Sequence, residues 1–171
     1  MKTFTRQQFL QHTAMAGAAM LLSSLEGFAF TMPDKKIKVA VIGCGSVSGV
    51  YLPHLSKSPF VELVSVCDII FSRAQKRAQE FNVPHQYPHI DQQLAGAPFD
   101  LLVTLTDMQE HGRLNKQALQ SGKHVWSEKP MANTIAECNI MVKASDYYKD
   151  RIVQVGQQQR SGFVFQKAIE L

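Results

Sequence analysis

Ile37-Lys38-Val39-Ala40-Val41-Ile42-Gly43-Cys44-Gly45-Ser46-Val47-Ser48-Gly49 decides the reading of this chain. An apolar run of strand length ends in glycines, and a helix can begin directly after them. The first glycine permits a tight turn, and the second lets the main chain approach a bound group with no Cβ between them. The following helix then turns its N–H groups and positive dipole end toward an anion. A diphosphate suits such a cradle, with Gly43, Gly45, Ser46 and Val47 supplying the contacts. Ser48 stands where a third glycine is usual, and it is small enough for close helix–strand packing. A Gly-x-Gly turn is also ordinary loop punctuation, so the segment needs support from elsewhere.

That support comes from Val61-Glu62-Leu63-Val64-Ser65-Val66-Cys67, a second buried run that ends at Asp68. A carboxylate at the tip of the second strand, some 20 residues past the glycines, can accept hydrogen bonds from the ribose hydroxyls of adenosine. It would repel a 2′-phosphate, which favours NAD over NADP. The plainer role for Asp68 is to cap the helix that starts near Ile70.

Past Met32-Pro33-Asp34 the pattern alternates between strands and helices. Strands are expected over 37–42, 61–67, 86–87, 100–106, 124–127 and 152–155, and helices over 72–81, 90–95, 110–120, 134–148 and from Phe163 onward. A further helix begins near Val47, where Pro53 is expected to kink or split it. This rhythm predicts an α/β domain with an open, doubly wound, mostly parallel sheet. Ligands of such sheets bind outside the carboxyl ends of the strands. Gly43 to Ser46, Asp68, Thr104 to Asp107, Glu128 to Pro130 and Gly156 to Arg160 all fall there.

Composition narrows the partners. With 45% hydrophobic and 19% charged residues the 171-residue chain has the material for a core, which argues against disorder. A net charge of +4 without a basic stripe speaks against nucleic acid. Cys44, Cys67 and Cys138 form no C-x-x-C pair and no Cys/His cluster of metal-ligand spacing, so no metal site is expected. Cys44 and Cys67 read as small buried hydrophobes, not a disulfide. His54, His85 and His89 read as surface or structural residues.

Residues 1–31 read as an export segment. Lys2 and Arg6 precede a short apolar core, Ala14 to Leu22, and small residues follow. Thr5-Arg6-Gln7-Gln8-Phe9-Leu10 resembles a twin-arginine motif in which Gln7 replaces the second arginine. The core is too short to form a stable membrane span. The expected destination is the periplasm, with an N-terminal amphipathic helix on a cytoplasmic protein as the alternative.

Ser127-Glu128-Lys129-Pro130 follows directly on the fifth strand. At the carboxyl edge of the sheet the Lys129 ammonium could donate to a substrate hydroxyl and stabilise alkoxide character as hydride leaves. Glu128 could bind the nicotinamide ribose or pair with the lysine. Taken alone, a Glu-Lys-Pro turn is a solvated surface feature.

Together, the glycine turn, Val66-Cys67-Asp68, Gly122-Lys123-His124-Val125-Trp126-Ser127-Glu128-Lys129-Pro130 and Val155-Gly156-Gln157-Gln158-Gln159-Arg160 resemble the Gfo/Idh/MocA oxidoreductases. The resemblance implies an NAD(P)-binding Rossmann domain over residues 35–157 and a larger α/β substrate domain, of which 158–171 is only the start. It implies cofactor contacts from Gly43, Gly45, Asp68, Thr106, His111 and Glu128, with Lys129 both catalytic and cofactor-binding. His111 would sit on the loop after the fourth strand, and Arg160 would lie near the active site. Asp107 stands where that loop usually carries proline. Asp107 and His111 share the Asp-x-x-x-His spacing of the family's catalytic pair, but that pair belongs to the second domain, so the match reads as coincidence. The implied activity is oxidation of a sugar or polyol, with homo-oligomerisation through the second domain. This chain is expected to be the nucleotide-binding half, inactive by itself. An NAD-dependent glycoside hydrolase and a non-catalytic nucleotide-binding module stay open as alternatives.

Overall fold

The computed structural model describes residues 35–170. The export-like segment lies outside the described residues. Six strands form one sheet: β1 (Ile37–Ile42), β2 (Val61–Cys67), β3 (His85–Tyr87), β4 (Leu101–Thr104), β5 (His124–Glu128) and β6 (Val153–Gly156). Between them run α1 (Ser48–Lys57), α2 (Phe71–Glu80), α3 (Ile90–Ala95), α4 (Met108–Gln120) and α5 (Ile135–Tyr147). A 3-10 turn (Gln158–Ser161) and α6 (Phe163–Ile169) follow β6.

The order across the sheet is β3-β2-β1-β4-β5-β6. Every pairing is parallel. Parallel sheets carry helices on both faces, so their strands are apolar throughout rather than alternating. Here Val39, Ala40 and Val41 are all fully buried. Alternate residues of β1 enter opposite layers, as the twofold pleat requires. Ala40 and Ile42 pack with Leu114, Leu119 and Met141. Val39 and Val41 pack with Leu52, Ala74 and Ala78.

The doubly wound Rossmann sheet predicted from the sequence is therefore present, with shifts at element ends. Helix α1 is continuous through Pro53, against the expectation of a kink or split. The missing N–H lies in the second turn and deletes only the bond to Gly49, while the fully buried Leu52 anchors the helix on the sheet. Helix α4 begins two residues before the expected start, because Asp107 is already extended at φ −64°, ψ 148° and the chain can turn into helix at Met108. Helix α5 starts after Thr134, whose side chain accepts from the Glu137 N–H in a capping box.

Strand β1 lies between β2 and β4, so the chain leaves it in opposite directions on its two sides. That reversal opens a crevice beyond the carboxyl ends of β1 and β4. The loops after Ile42 and Thr104 meet there: Leu105 N donates to Ile42 O at 2.8 Å, and Gly43 N to Cys67 O at 2.9 Å.

Candidate functional site

Gly43 has φ +94°, and a Cβ on it would come 2.6 Å from the Leu105 carbonyl carbon and 2.7 Å from Thr106 N. Only glycine lets these two loops close on each other. Gly45 is different. A Cβ there would meet nothing within 4 Å, so its bareness serves the open space in front of it. Helix α1 begins beside that space with Val47 at the N-cap, no side-chain cap hydrogen bond and no acidic residue in its first turn. Nothing from its own first turn neutralises the positive end of α1, which suits an anionic ligand.

Asp68 is 8% exposed. Its Oδ2 accepts from Cys44 N and its Oδ1 from Ile70 N, both at 2.8 Å. The carboxylate thus ties the glycine loop to the turn entering α2. The plainer sequence reading holds in part: Asp68 serves the turn before α2, while Ile70 is the N-cap residue and has no side-chain partner. Each carboxylate oxygen keeps acceptor capacity for a ribose hydroxyl. Cys44 and Cys67 are buried free thiols behind this carboxylate. Burial pushes both up to about 12, and the Asp68 charge adds to the effect at each.

Two cavities line the carboxyl edge beyond β1 and β4. The first, about 720 Å³, is bounded by Gly43, Gly45, Asp68, Ile70, Arg73 and Thr106. The second, about 480 Å³, is bounded by Gly45, Ser46, Val47, Arg73, Lys76 and Arg77. Shared lining by Gly45, Arg73 and Thr106 makes them one continuous groove. A third, about 790 Å³, lies beside β5 and β6 and includes Tyr51, Trp126, Gly156 and Arg160.

The structure places Gly43, Gly45, Asp68 and Thr106 on the first cavity and Gly45, Ser46, Val47 and Thr106 on the second. His111 is placed otherwise. It stands in α4, not on the loop after β4, and is 1% exposed. Its Nδ1 lies 2.7 Å from Pro130 O and its Nε2 2.9 Å from Thr106 O. Both ring nitrogens are engaged by main-chain carbonyls, and the ring joins the loops after β4 and β5. It holds the segments on which Thr106 and Lys129 sit.

Glu128 is half-buried and Lys129 exposed. Glu128 Oε1 accepts a hydrogen bond from the Tyr51 hydroxyl, and Oε2 accepts from Lys129 N at 2.9 Å. Tyr51 stacks at a tilt on Trp126, 4.9 Å between centroids. Its hydroxyl is held above its ordinary range, first by burial and then by Glu128. The carboxylate thereby shapes the turn that presents Lys129, whose peptide bond to Pro130 is cis.

Two residues escaped the sequence reading. Tyr51 carried no signal beyond a place on α1. Arg77 looked like one more charge on an amphipathic helix, yet it reaches back to Gly45 and Ser48.

Residues 37–157 match the family described as an oxidoreductase family with an NAD-binding Rossmann fold. An inositol 2-dehydrogenase from Salmonella paratyphi B is 28% identical over 137 residues, 78% of this chain and 41% of that protein. A glycosyl hydrolase family 109 protein from Solibacter usitatus is 26% identical over 168 residues, 88% of this chain and 38% of that protein. Among solved structures, the WlbA dehydrogenase from Bordetella pertussis in complex with NADH and UDP-GlcNAcA superposes with TM-score 0.73 at 30% identity, covering 80% of this chain and 42% of that one. The chain thus spans about two-fifths of the length of these relatives.

Proposed function

This chain belongs to the Gfo/Idh/MocA oxidoreductase family, with its NAD-binding Rossmann fold, and from that premise we propose that it forms the cofactor half of an NAD-dependent enzyme acting on a sugar or polyol CH–OH group. The observation that carries the reading is the groove running from Asp68 past Gly45 to the uncapped start of α1. A bound nicotinamide supplies hydride acceptance and return. Gly45, Ser46 and Val47 present main-chain N–H groups to the diphosphate, and Asp68 accepts from the adenosine ribose. A 2′-phosphate beside that carboxylate would be repelled, which supports NAD as the preferred cofactor.

Lys129 lies at the carboxyl end of β5, beyond the Glu128 carboxylate. Its exposed ammonium can donate to a substrate hydroxyl and stabilise negative charge on that oxygen. Tyr51 and His111 fix the turn that carries it. The substrate pocket itself would come from chain covering this edge, in keeping with the exposed apolar side chains of Phe163, Val164, Phe165 and Ile169 on α6. Without that cover, water reaches the reacting centre, and the isolated 171-residue chain is proposed to bind cofactor with little turnover.

A second reading has its own support. The similarity to a glycosyl hydrolase family 109 protein spans 88% of this chain and fits an enzyme that oxidises and re-reduces a sugar transiently. The two readings separate on one assay of the protein joined to its substrate-binding portion. A dehydrogenase accumulates NADH with a free sugar or cyclitol, while a hydrolase releases aglycone from a glycoside with no net NADH. In either case Lys129→Met is expected to lower kcat by about 100-fold or more with NAD binding retained. Undiminished turnover in that variant would refute the role given to Lys129.

A further inference from the structure

Arg77 makes three directed contacts. Its Nε donates to Ser48 Oγ at 3.1 Å, one terminal nitrogen donates to Gly45 O at 3.2 Å, and the other pairs with Glu80 at 2.8 Å. Ser48 Oγ in turn donates to Gly45 O at 2.6 Å. The Gly45 carbonyl therefore receives two hydrogen bonds, one from a hydroxyl and one from a cation, which fills its two lone pairs. Ser48 is fully buried, and the Arg77 side chain is 17% exposed. Gly49 leaves room for the arm, since a Cβ there would come 3.1 Å from a guanidinium nitrogen.

We propose that Arg77, acting through Ser48, is the positioning residue of the phosphate-binding loop. The reason lies in the peptide unit. A trans peptide is planar, and its C=O and N–H point in opposite directions. Pinning the Gly45 carbonyl toward Arg77 fixes the Ser46 N–H on the other side. Ser46 and Val47 line the 480 Å³ cavity together with Arg73, Lys76 and Arg77 itself. The clamp thereby fixes the orientation of a main-chain donor at the edge of this basic cavity. Its cation also offsets the negative end of a carbonyl that would otherwise weaken the field at the anion. Ser48 takes on a purpose here that a third glycine could not serve, because it brings a hydroxyl that both donates and accepts within the clamp. A surface Arg–Glu pair alone contributes little. What Arg77 adds is its hold on the loop.

The inference rests on the nucleotide reading of the site, and its test separates the two. The 171-residue chain, its Arg77→Met and Arg77→Lys variants and Ser48→Ala are titrated with NAD, ADP and adenosine, by calorimetry for the first two and NMR shifts for the third. Arg77→Met is expected to weaken NAD and ADP about tenfold, the worth of one charge-assisted hydrogen bond, with adenosine unchanged because it has no phosphate. Arg77→Lys keeps the charge without the fork and is expected to recover only part of the loss. Ser48→Ala should weaken ADP less, and adding it to Arg77→Met should cost nothing more, since the two share one contact network. Equal weakening of ADP and adenosine would reduce Arg77 to a structural role and overturn the proposal. So would unchanged ADP affinity in both Arg77 variants. If the unaltered chain binds neither NAD nor ADP, the nucleotide reading fails first, and this proposal with it.

Discussion

Gly43 and Gly45 stand two residues apart and should fail in opposite ways when each is changed to alanine. At Gly43 a methyl group would be held at φ +94° and pressed to 2.6–2.7 Å against backbone atoms of Leu105 and Thr106. The left-handed conformation costs an L-residue about 1–2 kcal/mol, and overpacking against atoms that cannot rotate away costs about 1–3 kcal/mol more. Gly43→Ala is therefore expected to lose about 2–5 kcal/mol, or about 6–15 °C in Tm for a domain of this size. At Gly45 the added methyl meets nothing within 4 Å. Stability should stay within about 0.5 kcal/mol of the parent, as for a surface change. The methyl instead occupies the face a diphosphate approaches. Overpacking of about 1–3 kcal/mol there weakens NAD by about 5- to 150-fold. Urea unfolding followed by the single tryptophan, Trp126, measures the first quantity, and calorimetry with NAD the second. The reasoning fails if Gly45→Ala unfolds as early as Gly43→Ala, or if it binds NAD as tightly as the parent.

Three further outcomes are expected. His111→Leu removes the ring that bridges the Thr106 and Pro130 carbonyls, and the carbonyl that took its N–H loses a partner at a cost of about 1–3 kcal/mol; urea unfolding should show that loss, and calorimetry should show weaker NAD binding. Asp68→Asn removes the charge that opposes a 2′-phosphate, so the affinity ratio of NADP to NAD should rise about tenfold, or about 1.4 kcal/mol, when both are titrated. The thiols give the pH dependence. An ordinary thiol ionises near 9.0, whereas folded Cys44 and Cys67 are pushed up to about 12. The folded state then holds more protons than the unfolded one between those values. The stability from these neutral thiols is intact below pH 9 and is lost as pH rises toward 12. In native protein at pH 8 iodoacetamide should modify the half-buried Cys138 first and reach the other two only after unfolding, as mass spectrometry can follow.

The elements legible in the sequence were those whose physics is local. Buried parallel strands need unbroken apolar runs, so β1, β2 and β4 announced themselves, and Gly43 with Gly45 marked where the first one stops. Asp68 was legible because its position follows from strand length. Long-range partners were not. Arg77 has the spacing of an exposed helical charge, and only the approach of α2 to the glycine loop reveals its two contacts there. The one hint was Ser48, a hydroxyl placed where it would be buried and would need partners. His111 misled because the residues before it, Met108 and Gln109, are exposed and break no apolar pattern, so the start of α4 could not be fixed from periodicity. Tyr51 gave no signal, since its partner Glu128 lies 77 residues away.

The central claim is that main-chain amides at the start of α1 and the Asp68 carboxylate grip one dinucleotide between them. Amide NMR of the 171-residue chain during titration with NAD tests it most directly. The expected result is saturation at one NAD per chain, with the largest shifts at Gly45, Ser46, Val47, Asp68 and Thr106. Shifts confined to other surfaces, or none at all with folded protein, would contradict it.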